Sequence, residues 1–140
     1  MRLEFSTKAR TLDLLQTKLK TAKLLPLQIF SISDWFKDQQ ACIESIRHAF
    51  STQPLIIRSS SSREDKLEAS NAGAFLSIQN VELEKIEEAV NKVVEAFRPL
   101  EQTDEILIQP MLTNVIRSGV AFSHDPNTGS PYRVINWSKG

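Results

Sequence analysis

Apolar positions recur with two different periods along this chain, which predicts both helices and strands. The clearest helical pattern covers residues 83–97, where glutamates cover one face and apolar side chains occupy the other, namely Leu83, Ile86, Val90, Val93, Val94 and Phe97. Pro99 predicts the end of this helix, because proline lacks the amide that a helix interior requires.

Two further helices are predicted earlier in the chain. The first covers residues 6–20, with Ser6 as its N-cap. Its apolar stripe consists of Leu12, Leu15 and Leu19. The second covers residues 33–50 and is capped by Ser33.

Short apolar runs predict strands between and after these helices. They lie at residues 27–32, 55–59, 74–81, 104–112, 118–125 and 132–137, with a turn at 126–129. Helices and strands mix early, and the last third is a β meander. The pattern therefore predicts an α/β or α+β protein with a mixed or antiparallel sheet and about three packed helices.

Charge and composition exclude several function classes. The chain of 140 residues has 17 basic and 17 acidic side chains, so it has no global positive field for nucleic acid or anionic lipid. No apolar segment is long enough for a signal peptide or a membrane span, and we expect a cytoplasmic protein. The single cysteine, Cys42, falls in a helical apolar pattern and is interpreted as a core residue.

The most unusual stretch is PLIIRSSSSREDKLEASNAG, residues 54–73, where an apolar strand leads into Arg58 and four serines. Hydroxyls, backbone N–H groups and a planar guanidinium together suit the oxygens of a polyphosphate. Neither GxxxxGK[ST] nor GxGxxG occurs, so a nucleotide would not lie in a P-loop or a Rossmann turn. The alternative is a surface loop in which Arg58 forms an exposed salt bridge.

Lys8 is the second candidate, because it heads the leucine stripe of the first predicted helix. Near a helix N-terminus its ammonium would lie beside backbone N–H donors. The alternative is a lysine that extends to solvent. Neither His48 nor His124 has a pattern typical of catalysis. No His/Cys cluster predicts a metal site, and the acidic residues at 64 and 65 could at most supply ligands to nucleotide-bound magnesium.

Three segments together resemble the N-terminal ATP-binding domain of the phosphoenolpyruvate synthase and pyruvate phosphate dikinase family. They are IIRSSSSREDKLEASNAGAFLSIQNV, ILIQPMLTNVIRSGVAFSHDPNTG and, more weakly, STKARTLDLLQTKLKTAKLLPLQIFSIS. They occur in the family's order and cover nearly the whole chain. The resemblance implies an ATP-grasp-like fold, of which residues 1–140 would form the N-terminal portion, and we expect this portion to be truncated at its C-terminal end.

The resemblance also implies site residues. Lys8 and Arg58 correspond to residues that contact ATP phosphates and are the predicted catalytic residues. The loop that contains Ser59, Ser60 and Gly73 would fold over the phosphates. The adenine would lie near three residues at the end of the glutamine-bearing strand, namely Gln109, Met111 and Leu112. The chain departs from the family at Ser6 and Thr7, where glycines are usual, at Arg63, where a small residue is usual, and at Asn71, where an aromatic residue is usual.

The implied function is ATP-dependent phosphorylation of a histidine on a separate swivelling domain, followed by transfer to pyruvate or a related acceptor. ATP and Mg²⁺ are the expected cofactors, with the Mg²⁺ ligands expected beyond residue 140, and the isolated chain is expected to be inactive. Alternatives are a phosphotransferase with another acceptor, such as an antibiotic or a glucan, or a non-catalytic interaction or regulatory module with the same fold. A globular domain whose serine loop has no function is the remaining alternative.

Overall fold

The computed structural model describes residues 6–51, 53–64 and 75–140. Within these residues the helices are α1 (Lys8–Gln16), α2 (Ile32–Lys37), α3 (Gln39–Ala49) and α4 (Ile86–Ala96), the last preceded by a 3-10 turn at Leu83–Lys85. The strands are β1 (Gln28–Ser31), β2 (Leu55–Ser60), β3 (Ser77–Val81), β4 (Glu105–Pro110), β5 (Arg117–Phe122) and β6 (Val134–Lys139). All six predicted strands are therefore present, with bounds that differ from the predicted ones by up to three residues.

The main sheet contains the first four strands in the order β1-β4-β2-β3, and every neighbouring pair is antiparallel. Every residue of β4 is buried, as expected for a strand with neighbours on both edges and cover on its faces. The strands β5 and β6 form a separate two-stranded antiparallel sheet whose side chains are mostly exposed. The molecule therefore has an α+β architecture.

The hydrophobic core lies between one face of the main sheet and the helices α2, α3 and α4. Side chains alternate across a strand, so Ile57 in β2 and Ile106 and Ile108 in β4 point to this face. They join a cluster that also contains Trp35, Ile46, Phe50, Val90 and Val93, all fully or almost fully buried. The apolar face predicted for the helix at residues 83–97 is confirmed as the face of α4 in this core.

The opposite face of the main sheet carries the alternate side chains, and the first turn of α1 lies against it at the start of β4 and the end of β2. Ser60 and Glu105 are register partners on this face, and both contact the first turn of α1. Ala9 and Leu107 are fully buried yet lie outside the main core cluster. The sheet is therefore covered by helices on both faces, and α1 is the one helix on the second face within the described ranges.

The predicted helix over residues 33–50 is wrong as a single helix. Asp38 has a non-helical backbone, with φ −158° and ψ 86°, and separates α2 from α3. Its side chain accepts a hydrogen bond from the Ala41 amide and so caps α3. The predicted cap Ser33 is also wrong, because Ser31 caps α2 through a reciprocal pair of bonds with Asp34.

The first helix is shorter than predicted. It begins after Thr7, whose hydroxyl accepts from the Arg10 amide, so the predicted cap Ser6 lies one residue too early. It ends at Gln16, and Leu19 is exposed beyond it. Because Ala9 is the one fully buried residue of α1, packing supports the first turn of this helix and little supports its C-terminal end.

Candidate functional site

The first turn of α1 is fastened to the adjoining ends of β2 and β4. The Ala9 amide donates to Ser60 Oγ at 2.9 Å, and Thr7 Oγ1 donates to Glu105 Oε2 at 2.6 Å. The Arg10 guanidinium also pairs with the Glu105 carboxylate. Glu105 is buried, so this carboxylate is desolvated and depends on these two donors.

Lys8 lies in the same turn and contacts the loop that leaves β2. Its Nζ lies 2.7 Å from Glu64 Oε2, and Glu64 Oε1 accepts a bond of 2.9 Å from Ser59 Oγ. A chain of contacts therefore runs from the predicted phosphate-binding lysine to the residue that follows Arg58. The structure brings Lys8 to the serine segment, although the two are about fifty positions apart in sequence.

The first three serines of the run are buried and form hydrogen bonds within the protein. Ser59, Ser60 and Ser61 are exposed by only 3, 0 and 3 %. Ser61 Oγ accepts from the Arg63 amide at 3.2 Å, so each of the three hydroxyls has an internal hydrogen bond. Ser62 is exposed. Their types suit this place because a buried hydroxyl both donates and accepts.

Arg58 occupies a central position in the main sheet, between Leu107 of β4 and Ser77 of β3. Strand alternation places its side chain on the face of Ser60, which is the face that α1 contacts. Arg58 Nε is buried and has no hydrogen-bond partner in the part of the chain that the structure describes. Arg63 Nε is likewise buried without a hydrogen-bond partner among the described residues. A buried N–H without a partner is costly, so each of these atoms can still donate to an acceptor.

The amides at the start of α1 are less available than the sequence suggests. The Ala9 amide is taken by Ser60 and the Arg10 amide by Thr7. At the position where glycine is usual in the similar family, the Thr7 hydroxyl therefore caps the helix and bonds to Glu105, so the side chain has a place in this fold. The positive charge at this end of the helix is therefore supplied by Lys8 and Arg10 more than by backbone donors.

The predicted adenine-side residues lie toward the other end of β4. Gln109 is on the same face as Arg58, two register pairs away, and is 7 % exposed. The Met111 amide donates to Pro54 O at 2.8 Å, so this donor already has a partner. Leu112 is 57 % exposed. The end of β4 at Glu105 and the end at Pro110 are about 17 Å apart at the usual rise per strand residue.

Three acidic residues of this region were missed by the sequence analysis as partners of the site, namely Glu64, Asp104 and Glu105. Asp104 is buried. Its Oδ2 accepts a hydrogen bond of 2.6 Å from the Arg63 guanidinium and one of 2.9 Å from the Glu101 amide. Arg63 also donates to Pro99 O at 2.9 Å, so the arginine that departs from the family pattern fixes the start of the loop to the turn before β4. An acidic pair just before an apolar strand was the available signal.

Other sequence candidates have clear positions. Cys42 is buried in the core, as predicted, and burial raises the pKa of its thiol above the ordinary value of 9.0. His48 and His124 are exposed, and His124 contacts the hydroxyl of Ser123. Gly73, Asn71 and Asp65 lie outside the described residues.

Surface depressions occur away from these residues. One of about 170 Å³ lies between β3 and α4 and is lined by Lys85, Glu88 and Lys92 among others. Another of about 460 Å³ lies on the β5–β6 hairpin beside Trp137. Neither depression brings together buried polar groups from separate elements, as the region around Lys8 and Arg58 does. We therefore place the candidate site at Lys8 and Arg58 rather than in either depression.

Two absences concern the described residues only. In residues 6–51, 53–64 and 75–140, no group of three or more His, Cys, Asp or Glu side chains is placed to hold a metal ion. In the same ranges, no helix is both long and apolar enough to cross a membrane.

Comparison with known proteins gives one match. No curated protein and no solved structure matches the chain significantly. The model of the family described as pyruvate phosphate dikinase, AMP/ATP-binding domain, matches residues 33–140. This range includes Arg58, the serine segment and Gln109, whereas Lys8 precedes it. Because the matched residues form well over half of the chain, the protein belongs to the family of the pyruvate phosphate dikinase AMP/ATP-binding domain.

Proposed function

We propose that this chain binds ATP as the N-terminal portion of an ATP-grasp-type domain in a dikinase-like phosphotransferase. Family membership supports ATP binding and a kinase or transferase type of enzyme. In the proposed reaction, a phosphoryl group from ATP passes to a histidine on a separate swivelling domain and then to pyruvate or a related acceptor.

The observation that carries this proposal is the meeting of two cationic elements at one end of the main sheet. Arg58 has a buried Nε without a partner among the described residues, and it lies on the sheet face that α1 contacts. Lys8 begins α1 and reaches the loop after Arg58 through Glu64. A triphosphate needs cations from more than one direction, because its charge is spread over three phosphoryl groups.

The order of residues along this sheet face gives the nucleotide a direction. The cations lie toward the Ser60 and Glu105 end, whereas Met111 and Leu112 follow the far end of β4. We propose that the phosphates lie at the first end and the adenine near the second, with Gln109 between them. Since the Met111 amide already bonds to Pro54, the Met111 carbonyl is the group proposed to face the adenine.

The proposed roles of the cations are positioning and charge stabilisation. In phosphoryl transfer, charge develops on the transferred group and its bridging oxygen, and fixed cations lower the barrier by stabilising it. Ser59 and Ser60 hold the strand end that carries Arg58, and we propose that Gly73 belongs to the loop over the phosphates. Mg²⁺ would neutralise further phosphate charge; no ligand for it is proposed from the described residues.

The proposal is tested by titrating the chain with ATP by calorimetry. Lys8→Ala and Arg58→Ala are each expected to weaken binding by about 1.5 to 3 kcal/mol, which is tenfold or more, because each removes a charged hydrogen bond. Matched controls are Lys18→Ala, just beyond the end of α1, and Arg47→Ala on α3, both exposed. These controls are expected to bind ATP like the parent chain.

Folding must be separated from binding in this experiment. Arg58→Met keeps most of the apolar stem of Arg58 and is expected to fold while losing the same affinity as Arg58→Ala. Far-UV circular dichroism and urea unfolding check each variant. A parent chain that does not bind ATP, or folded variants of both residues that bind it as tightly as the parent, would contradict the proposal and favour a non-catalytic module of the same fold.

A further inference from the structure

We propose that Glu64 is a positioning residue, which holds the Lys8 ammonium at the phosphate end of the site; this inference rests on the proposed function. Its contacts distinguish it from the other acidic residues of the region. Glu105 binds Thr7 and Arg10, and Asp104 binds Arg63. Glu64 alone of these three contacts a residue that is proposed to touch the nucleotide.

The two carboxylate oxygens of Glu64 join two elements. Oε2 lies 2.7 Å from Lys8 Nζ on α1, and Oε1 accepts from Ser59 Oγ on β2 at 2.9 Å. Ser59 is in turn held in the sheet and follows Arg58 directly. The position of the ammonium is thereby tied to the strand that carries the guanidinium.

Burial separates this ion pair from an ordinary surface pair. The side chains of Lys8 and Glu64 are 34 and 12 % exposed, whereas those of Lys92 and Glu88 on α4 are 57 and 61 % exposed. An exposed pair of flexible side chains is held weakly and screened by solvent. The carboxylate of Glu64 is held by a second bond and is mostly shielded, so it fixes its partner more firmly.

The pair leaves Lys8 able to bind an anion. An ammonium has three N–H donors, so a lysine that gives one to Glu64 has others to offer to phosphate oxygens. A free lysine side chain loses much rotamer freedom when it binds, and a lysine that is already held loses less. Glu64 therefore prepares Lys8 for the phosphate before the nucleotide arrives.

The carboxylate also repels phosphate, which acts in the opposite direction. The bond from Ser59 keeps one oxygen of Glu64 on the strand side, with Lys8 on the other oxygen. A lysine and glutamate pair with this role is required in protein kinases, where the lysine contacts the nucleotide phosphates. We therefore assign to Glu64 a net contribution in favour of ATP binding.

The test is a double-mutant cycle in the full chain, with ATP as the probe. Glu64→Gln is expected to weaken ATP binding about tenfold, as the loss of an outer partner does for other ligating side chains. Introduced into Lys8→Ala, the same substitution is expected to change the affinity little, because the residue through which it acts is gone. Glu101→Gln, a more exposed glutamate near Arg63, is the matched control and should leave affinity unchanged.

A second variant distinguishes a loss of ATP affinity from a failure to fold. Glu64→Asp keeps the charge but shortens the side chain by one methylene, so it cannot span Lys8 and Ser59 equally well. It is expected to fold like the parent chain in urea unfolding and still to lose ATP affinity. A purely structural role would instead move stability and affinity together in both Lys8 backgrounds.

The possible outcomes separate this inference from the proposed function. If Lys8→Ala and Arg58→Ala do not affect ATP binding, the proposed function fails and this inference fails with it. If those two variants weaken binding while Glu64→Gln leaves it unchanged or tightens it, only the positioning role of Glu64 is overturned. An equal loss in the parent and in Lys8→Ala would also overturn it.

Discussion

Acidic side chains form ion pairs with Lys8 and with two basic residues near the candidate site. Glu64 binds Lys8, Asp104 binds Arg63, and Glu105 binds Arg10. All three carboxylates lie within the region where α1, the end of β2 and the start of β4 meet. Three of the cations in this region are therefore each held by a specific carboxylate, whereas Arg58 Nε has no hydrogen-bond partner among the described residues.

The sequence patterns singled out two candidate cations but not the carboxylates that lie near them. Lys8 and Arg58 stood out because each follows or begins an apolar pattern in which a charge is unexpected. Glu64 and Glu105 did not, since glutamates are abundant in this chain and their partners are distant in sequence. Only the fold shows that residues 64 and 8, or 105 and 10, are in contact.

Ser60 gives a prediction about how firmly α1 is attached. Its hydroxyl accepts from the Ala9 amide, and both residues are fully buried. Ser60→Ala should therefore leave a buried amide without a partner and lower the free energy of unfolding by about 1 to 3 kcal/mol. Urea unfolding measures this loss.

Ser62→Ala is the control for this substitution, because Ser62 belongs to the same serine run but is exposed. It should unfold within about 0.5 kcal/mol of the parent chain. Equal stability of Ser60→Ala and the parent chain would show that the bond to Ala9 does not fasten α1.

Helix boundaries show what local sequence patterns left open. The apolar spacing over residues 33–50 suits one helix, but Asp38 ends α2 and begins α3 within it. An aspartate can cap a helix or lie on its surface, and the pattern of apolar residues is the same in both cases. The choice is made by packing, which buries Trp35 on α2 and Cys42, Ile43 and Ile46 on α3 in one core.

The capping box of α2 gives a prediction about acid stability. The Ser31 hydroxyl, with the Ser31 amide, bonds to the Asp34 carboxylate and holds the pKa of Asp34 below its ordinary value of 3.8. A carboxyl with a lowered folded-state pKa stabilises the fold above its unfolded value, and this contribution is lost as the pH falls through the folded value. The loss from Asp34 should thus occur below pH 3.8.

The free energy of unfolding of Ser31→Ala and Asp34→Asn is measured in urea from about pH 2 to about pH 7, an interval that includes the ordinary pKa of aspartate. Ser31→Ala should cost about 1 kcal/mol at neutral pH. Asp34→Asn should remove the part of the acid-induced loss that comes from this box. If Asp34→Asn and the parent chain lost stability in parallel below pH 3.8, the capping box would not be the source.

The α+β class and the six strands were predicted from the sequence, whereas the helix predicted over residues 33–50 is two helices. Each apolar run became a strand, and the strongest helical pattern became α4. The order β1-β4-β2-β3 was not predicted, because it pairs strands that are far apart in sequence and short patterns carry no information about partners. That a helix covers the second face of the sheet was also not predicted. Polar residues alternate with apolar ones in β2 and β4, and this alternation is equally typical of a face exposed to solvent.

That strand order is what brings the candidate site together. Because β4 lies beside β2, Glu105 is opposite Ser60, and both side chains accept hydrogen bonds from the N-terminal end of α1. Lys8 reaches the loop beside Arg58 as a consequence. The proposed site therefore depends on long-range strand pairing rather than on one continuous motif.

If Lys8 and Arg58 bind the phosphates of one nucleotide, their substitution should matter only for ligands that carry phosphate. The affinities of the parent chain, Lys8→Ala and Arg58→Ala are measured by calorimetry for ATP, AMP and adenosine. Our account predicts that both substitutions weaken ATP binding about tenfold or more and leave adenosine binding unchanged, because the lost contacts are charged hydrogen bonds to phosphate. An equal loss for ATP and adenosine, or no loss for ATP in either variant, would contradict it.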